Sequence, residues 1–357
     1  MEMETATLDM LFMRRCLELA RKGLGKTGLN PLVGSVIVHR SRIIGEGYHQ
    51  EYGGAHAEVN AIQSVKEKHL LPLSTLYVNL EPCSHFGKTP PCSLLIKDCK
   101  IPRIVVGTKD PNPLVAGKGL KILEKSGAEI VLGVLEEESK FINRRFFTNI
   151  IKKRPYVILK WAESEDGFID KIRRPGSPVE PNWISNFSSR KLVHKWRGEE
   201  SGIFAGVNTI IIDNPALNLR DWSGKQAVRI SIDRHNRIDN HYKFKDGKQE
   251  TILFTQHALK DKTIQYEEIG PDFNLEKMLA VLFTKNIGSL IIEGGAQIFK
   301  SIIESGLWDE ARVFKGNVKF ENGIKAPVLP VSTAEELMFG DNLLLISYNT
   351  IYQQKGY

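Results

Sequence analysis

The sequence predicts two consecutive α/β domains, and three observations carry that prediction. The chain has 357 residues, which is more than one compact domain of roughly 100–200 residues uses. Short β-branched runs alternate with segments of helical period, the pattern of strands layered against helices. A basic cluster closed by a proline, Lys152 to Pro155, interrupts that pattern. The boundary is drawn there, giving domains 1–151 and 152–357.

In the first half a helix is expected over about 8–22, ending at Gly23, because apolar residues Leu8, Leu11, Phe12, Leu19 and Ala20 recur at helical spacing. A glycine-rich link through Asn30 and Pro31 leads to strands at 33–38 and 43–48. A helix from about 56 through AHAEVNAIQSVKEKH, a strand at 75–80 and a Pro/Gly-rich loop follow. Then come a helix in SLLIKDC, a strand in RIVVGT, a further helix and strand within 117–133, and helical sequence near 135–150.

The second half opens with the strand YVILKWA. Strands are then read in IFAGVNTIIID (203–213), AVRISID (227–233), TILFT (251–255) and SLIIEGG (289–295), with 234–248 as a polar surface excursion.

Composition narrows the class. Apolar residues at 41% and charged residues at 25% match ordinary globular chains, so each half can bury a core. No apolar run reaches the ~20 residues of a membrane span, and the N-terminus lacks a basic-then-apolar leader. A cytoplasmic protein with no membrane partner is expected. The net charge of +7 is dispersed, with only short dense stretches at 150–155 and 171–175. That favours small anionic molecules over nucleic acid, which calls for a basic stripe interleaved with aromatics.

Four cysteines make no disulfide framework in a chain of this length. Cys16 and Cys99 follow apolar sequence and read as small buried hydrophobes. Cys83 and Cys92 sit in polar, proline-rich sequence, and His56-Ala57-Glu58 lies upstream. One imidazole and two thiolates are a ligand set for Zn²⁺ that leaves a fourth position for water. His56 and Cys92 each begin a predicted helix, where the positive dipole end favours thiolate and hydroxide. The order His-x-Glu, Pro-Cys, Cys is that of zinc base deaminases, in which the glutamate shuttles protons and is not a ligand. Glu58 is therefore the expected catalytic acid/base, and His56, Cys83 and Cys92 the expected metal ligands. A closed structural site would instead need a fourth ligand, His85 or a more distant His49, and would leave Glu58 without a task.

Four stretches together resemble the deaminase half of the bifunctional riboflavin-biosynthesis deaminase/reductase family: NPLVG (30–34), HAEVNA (56–61), EPCSHFGKTPPC (81–92) and DPNP (110–113). Eight residues separate the two cysteines, where nucleic-acid deaminases of the tRNA type, the alternative reading, have two. The resemblance implies a cytidine-deaminase-like three-layer domain and substrate contacts at Asn30, His49, His85, Lys88 and Thr89. The last three offer donors to a phosphate.

From its residues alone the second half says less. SLIIEGGAQIF is a strand, two glycines and a helix, able to hold a phosphate at the helix N-terminus, but the dinucleotide fingerprint G-x-G-x-x-G is absent. The stretches KWA with Asp166-Gly167, NWIS (182–185), 206–217 with Arg220, and IEGG (292–295) resemble the reductase half of the same family. A dihydrofolate-reductase-like α/β fold using NADPH is implied, as is a homodimer. By the same resemblance NADPH contacts fall on Ala162, Trp183, Thr209, Asp213 and the run Gly295, Ala296, Gln297, Ile298, Phe299, Lys300 and Ser301. Substrate contacts fall on Arg197, Leu217, Arg220 and Glu293. Arg197 and Arg220 suit a phosphate, and Lys160 and Glu293 are the candidates for protonating or polarising the opening sugar. The expected substrate is a phosphorylated pyrimidine, 2,5-diamino-6-ribosylaminopyrimidin-4-one 5′-phosphate, deaminated first and then reduced from ribosyl to ribityl.

Overall fold

The computed structural model describes residues 2–86, 90–113, 115–172, 182–331 and 335–349. The chain divides into two compact units, Met1–Lys153 and Arg154–Tyr357.

The first unit runs α1 (Glu2–Arg21), β1 (Gly34–His39), β2 (Arg42–Tyr48), α2 (Ala57–Ser64), β3 (Thr75–Leu80), α3 (Cys92–Asp98), β4 (Arg103–Thr108), α4 (Lys118–Lys125), β5 (Glu129–Leu132), α5 (Glu136–Ile142) and α6 (Arg144–Lys152). Its sheet has the order β2-β1-β3-β4-β5. β1 is antiparallel to both neighbours, and β3, β4 and β5 are parallel. Strand residues alternate between two cores, as the pleat requires. Ile37, Leu76, Val78, Ile104 and Val106 pack with α2, α3 and α4, while Val36, Val38, Tyr77 and Val105 pack with Phe12, Met13, Cys16 and Leu19 of α1. The result is three layers. Cys16 is fully buried, as its setting suggested, whereas Cys99 is only partly so.

Two helix limits differ from the sequence reading. α1 begins at Glu2 rather than near Leu8, and α2 stops at Ser64 instead of running to His69, because residues 68–73 form a 3₁₀ turn containing Pro72.

The second unit runs β6 (Tyr156–Glu163), β7 (Phe168–Asp170), α7 (Phe187–Glu199), β8 (Gly202–Phe204), α8 (Val207–Asp213), β9 (Val228–Ile232), β10 (Thr251–Thr255), β11 (Ile264–Glu268), α9 (Leu275–Thr284), β12 (Ser289–Ile292), α10 (Ala296–Ser305), β13 (Glu310–Lys315), β14 (Ile324–Lys325), β15 (Glu335–Phe339) and β16 (Asn342–Tyr348). Its main sheet has the order β11-β10-β9-β8-β12-β6-β13-β16-β15. The strands from β11 to β13 are parallel, and β16 and β15 are antiparallel additions. Val157, Leu159 and Trp161 face a core with Met278, Leu282 and Phe299, and Tyr156 and Ile158 face another with Val193, Trp196 and Ile210.

Here too the sequence reading is corrected. IFAGVNTIIID is not one strand: it breaks after Phe204, Gly206 caps a helix, and Ile210, Ile211 and Ile212 belong to α8. The polar segment 234–248 also contributes Ile238 and Phe244, both fully buried, to the core.

Candidate active sites

In the first unit, ligand atoms of His56, Cys83 and Cys92 lie within 4.8 Å of one another. His56 is the N-cap residue of α2 and Cys92 the first residue of α3, so two helix N-termini converge on one point. The His56 Nδ1 atom is 3.5 Å from Cys83 Sγ and 3.3 Å from Cys92 Sγ. The Cys92 N–H donates to Cys83 Sγ at 3.3 Å, and the Ser93 N–H donates to the Cys83 carbonyl at 3.1 Å. Hydrogen bonds from the Cys92 thiol and from His56 hold the Cys83 thiol well below the ordinary thiol range, against the opposing effect of burial. A ring nitrogen and two sulfurs gathered around one depressed thiol fit a zinc ion.

Glu58, in the first turn of α2, is 3% exposed, and its carboxyl reaches the Cys92 thiol. Burial, helped by the charge of Cys83, pushes it up to about 7, in the range where a carboxyl can both accept and return a proton. α2 can carry both residues here because it lies flat on β2. A Cβ on Gly47 would sit 2.5 Å from the Ala61 nitrogen, and one on Gly45 would sit 2.6 Å from the Ala61 carbonyl oxygen.

Asn30 and His49 form one unit. His49 Nδ1 lies 3.0 Å from the Ala55 carbonyl, which makes that nitrogen the donor, so Nε2 accepts from the Asn30 amide at 3.1 Å. Burial lowers the His49 pKa, consistent with a neutral ring whose task is to orient Asn30. His85 is exposed. Lys88 and Thr89 lie outside the described residues.

Three supporting residues went unread in the sequence. Asn143, between α5 and α6, accepts from the Leu32 N–H at 2.7 Å and donates to the Leu32 carbonyl at 3.0 Å. Asn79 accepts from the Gly34 N–H at 2.8 Å and donates to the same Leu32 carbonyl. Both therefore fix the loop that bears Asn30. Glu81 accepts from the N–H groups of Asp110, Gly117 and Gly119. Its sequence signals are its place at the head of the stretch EPCSHFGKTPPC and a carboxylate set between apolar Leu80 and Pro82.

In the second unit the chain goes out from β6 through β8 to β11 and returns as β12 between β8 and β6. Ligands of open parallel sheets bind outside the strand ends at such a reversal. The ends of β8 and β12 meet there, with the Gly206 N–H donating to the Gly294 carbonyl at 3.2 Å. Gly295 has φ of 103° and starts α10, and a Cβ on Gly294 would meet Thr209 Cγ2 at 2.9 Å. This bare backbone at two helix starts fits the diphosphate of a dinucleotide.

Arg197 pairs with Glu293 through two bonds of 2.7 Å and donates to the Asn218 carbonyl at 3.0 Å. Burial disfavours the Glu293 charge, yet Arg197, with Lys160 and His194, holds that carboxyl at about 2. An ionised Glu293 is a poor proton donor. Lys160 lies in the field of the same pair, and burial lowers its pKa. Arg220 is exposed, 3.4 Å from Asp221, while Leu217 is buried with φ of 48°. His194, also unread in the sequence, is held neutral by burial at about 4 and lies 3.2 Å from Asp221.

Ala162 is at the end of β6, Thr209 in the first turn of α8 and Asp213 at its last residue. Trp183 is 57% exposed under the Arg190 guanidinium. Of the run 295–301, Gly295, Ala296 and Ile298 are half-buried and Gln297, Lys300 and Ser301 exposed. Phe299 is 1% exposed and packs on Trp161. Its side chain belongs to the core, so only its backbone is available to a cofactor.

Residues 6–108 match the cytidine and deoxycytidylate deaminase zinc-binding region, and residues 155–317 match the RibD C-terminal domain. The riboflavin biosynthesis protein RibD of Aquifex aeolicus is 39% identical over 92% of each chain, and that of Escherichia coli 33% identical over 86% of this chain and 87% of its own. The chain belongs to the RibD family. A solved deaminase/uracil reductase of this family from Thermotoga maritima, 34% identical, superposes with a TM-score of 0.86 over 96% of this chain and 99% of that one. The chain therefore joins a zinc-binding deaminase domain to a dihydrofolate-reductase-like domain of a riboflavin-biosynthesis enzyme, and the tRNA-type deaminase reading is set aside. No helix among the described residues is long and apolar enough to cross a membrane.

Proposed function

We propose that the chain removes the ring amino group of 2,5-diamino-6-ribosylaminopyrimidin-4-one 5′-phosphate with residues 1–151 and reduces the ribosyl group to ribityl with residues 152–357. The observation that carries this reading is the meeting of His56, Cys83, Cys92 and buried Glu58 at two helix starts.

A zinc ion held by the three ligands would supply a water acidic enough to be nucleophilic near neutral pH. Glu58 takes a proton at its carboxylate and returns it to the ring nitrogen. Asn30, steered by His49, binds the pyrimidine edge, and His85, Lys88 and Thr89 offer donors to the phosphate. In the second unit NADPH would supply hydride. The helix starts that follow Gly206 and Gly294-Gly295 receive its diphosphate, Lys160 polarises the opening sugar, and Arg220 meets the substrate phosphate. Arg197, committed to Glu293, fixes that carboxylate and the Asn218 backbone beside the sugar. The family resemblance further supports a cytoplasmic homodimer, which sedimentation tests.

The decisive assay uses the diaminopyrimidine nucleotide. Ammonia release occurs without NADPH and is lost in Glu58→Gln, whereas ammonia at the wild-type rate from that variant overturns the assignment of Glu58. NADPH consumption then requires the deaminated product, and none with authentic product overturns the reductase assignment.

A further inference from the structure

The Glu81 carboxylate, two residues before Cys83, is 6% exposed. It accepts from the N–H groups of Asp110 at 3.3 Å, Gly117 at 2.9 Å and Gly119 at 3.1 Å. Its own N–H donates to the Thr108 carbonyl at 2.9 Å. One side chain thus ties Asp110, Gly117 and Gly119 to the end of β3 and lies against the start of α4, where a carboxylate is favoured by the helix dipole. The fit is close, because a Cβ on Gly119 would sit 2.0 Å from the Pro82 carbonyl oxygen. Asp110 itself is half-buried, accepts from the Asn112 N–H at 2.8 Å, and feels the charges of His85 and Cys83.

The metal ligands have separate supports. Cys83 is tied to α3 by the Cys92 and Ser93 N–H groups, and α2 rests on Gly45 and Gly47. We propose that Glu81 is a positioning residue of the deaminase site, holding Asp110, Gly117 and Gly119 as a wall beside Cys83 and His85. It thereby governs substrate affinity and leaves metal binding and proton transfer to other residues. The inference rests on the deaminase reading above.

The test is steady-state ammonia release by the full-length, zinc-loaded chain carrying Glu81→Gln or Glu81→Asp. Glutamine fills the same space but turns a donor toward main-chain N–H groups. KM for the diaminopyrimidine nucleotide rises about tenfold or more in Glu81→Gln while kcat stays within about threefold. Zinc content and the visible spectrum of the Co²⁺-substituted variant match wild type. Glu81→Asp, which keeps the charge on a shorter arm, falls between. NADPH consumption with deaminated product, a function of the other unit, is unchanged and shows that the second unit is intact, while wild-type zinc content shows that the first is folded.

An unchanged KM overturns the proposal. So does loss of zinc or an altered Co²⁺ spectrum, which makes Glu81 a support of the ligands instead, and so does loss of both activities in both variants, which makes it a folding residue. A wild-type chain that releases no ammonia overturns the functional reading and is thereby told apart from these.

Discussion

At the level of single residues, the reductase cluster separates two candidates that look alike on paper. Glu293 and Lys160 both carry exchangeable protons, but Arg197 clamps Glu293 with two short bonds and keeps it ionised. Among the described residues Lys160 has no such clamp, and burial weakens its hold on the proton below a solvated lysine's 10.5. If its ammonium assists hydride transfer, the reductase rate falls on the alkaline side, through a single ionisation below that value. Glu293 supports the ammonium, so removing its charge lowers the Lys160 pKa further. Glu293→Gln therefore moves the alkaline limb of the kcat–pH profile to lower pH, besides reducing kcat. An alkaline limb that stays in place in this variant removes Lys160 as the titrating group.

At the level of elements, catalysis depends on where helices start. α2 delivers His56 and Glu58 only because Gly45 and Gly47 let it lie against β2. A Cβ at Gly47 would press on the Ala61 nitrogen and Asn60, and backbone cannot yield as a flexible side chain can. Gly47→Ala is expected to lower zinc content and ammonia release at least tenfold, the scale of an ångström-sized misplacement, while NADPH consumption persists. Full zinc occupancy in that variant shows that α2 is positioned otherwise. The starts of α2 and α3 were legible because His-x-Glu and Pro-Pro-Cys sit at changes of pattern. α8 was not, since Ile210, Ile211 and Ile212 favour strand by propensity and only Gly206 and the packing of Ile210 make them helical. Glu81, Asn79 and Asn143 act on backbone groups far away in sequence, as with the 111 positions from Asn143 to Leu32. Such pairings exist only once the sheet has formed. β15 and β16 escaped for a similar reason, β16 being held by addition to β13 and β15 by addition to β16.

For the whole molecule, the two chemistries draw on different groups in different units. The candidate metal cluster among the described residues lies wholly in Met1–Lys153, and the glycine turn with Lys160, Arg197 and Glu293 lies wholly in Arg154–Tyr357. No reductase step proposed here uses a thiolate or an imidazole–sulfur site. Metal removal should therefore split the activities. Dialysis against a chelator abolishes ammonia release, and added Zn²⁺ restores it. The metal-free chain still consumes NADPH when given the deaminated product and consumes none when given the diaminopyrimidine, because its own first step is blocked. Loss of metal also weakens the first unit, since a ligand that binds only the folded state adds RT ln(1 + [L]/Kd) to stability. Its thermal transition moves down while that of the second unit stays. If chelation instead ends NADPH consumption with authentic product, the metal serves both units, and the division of labour drawn from Cys83 and Cys92 fails.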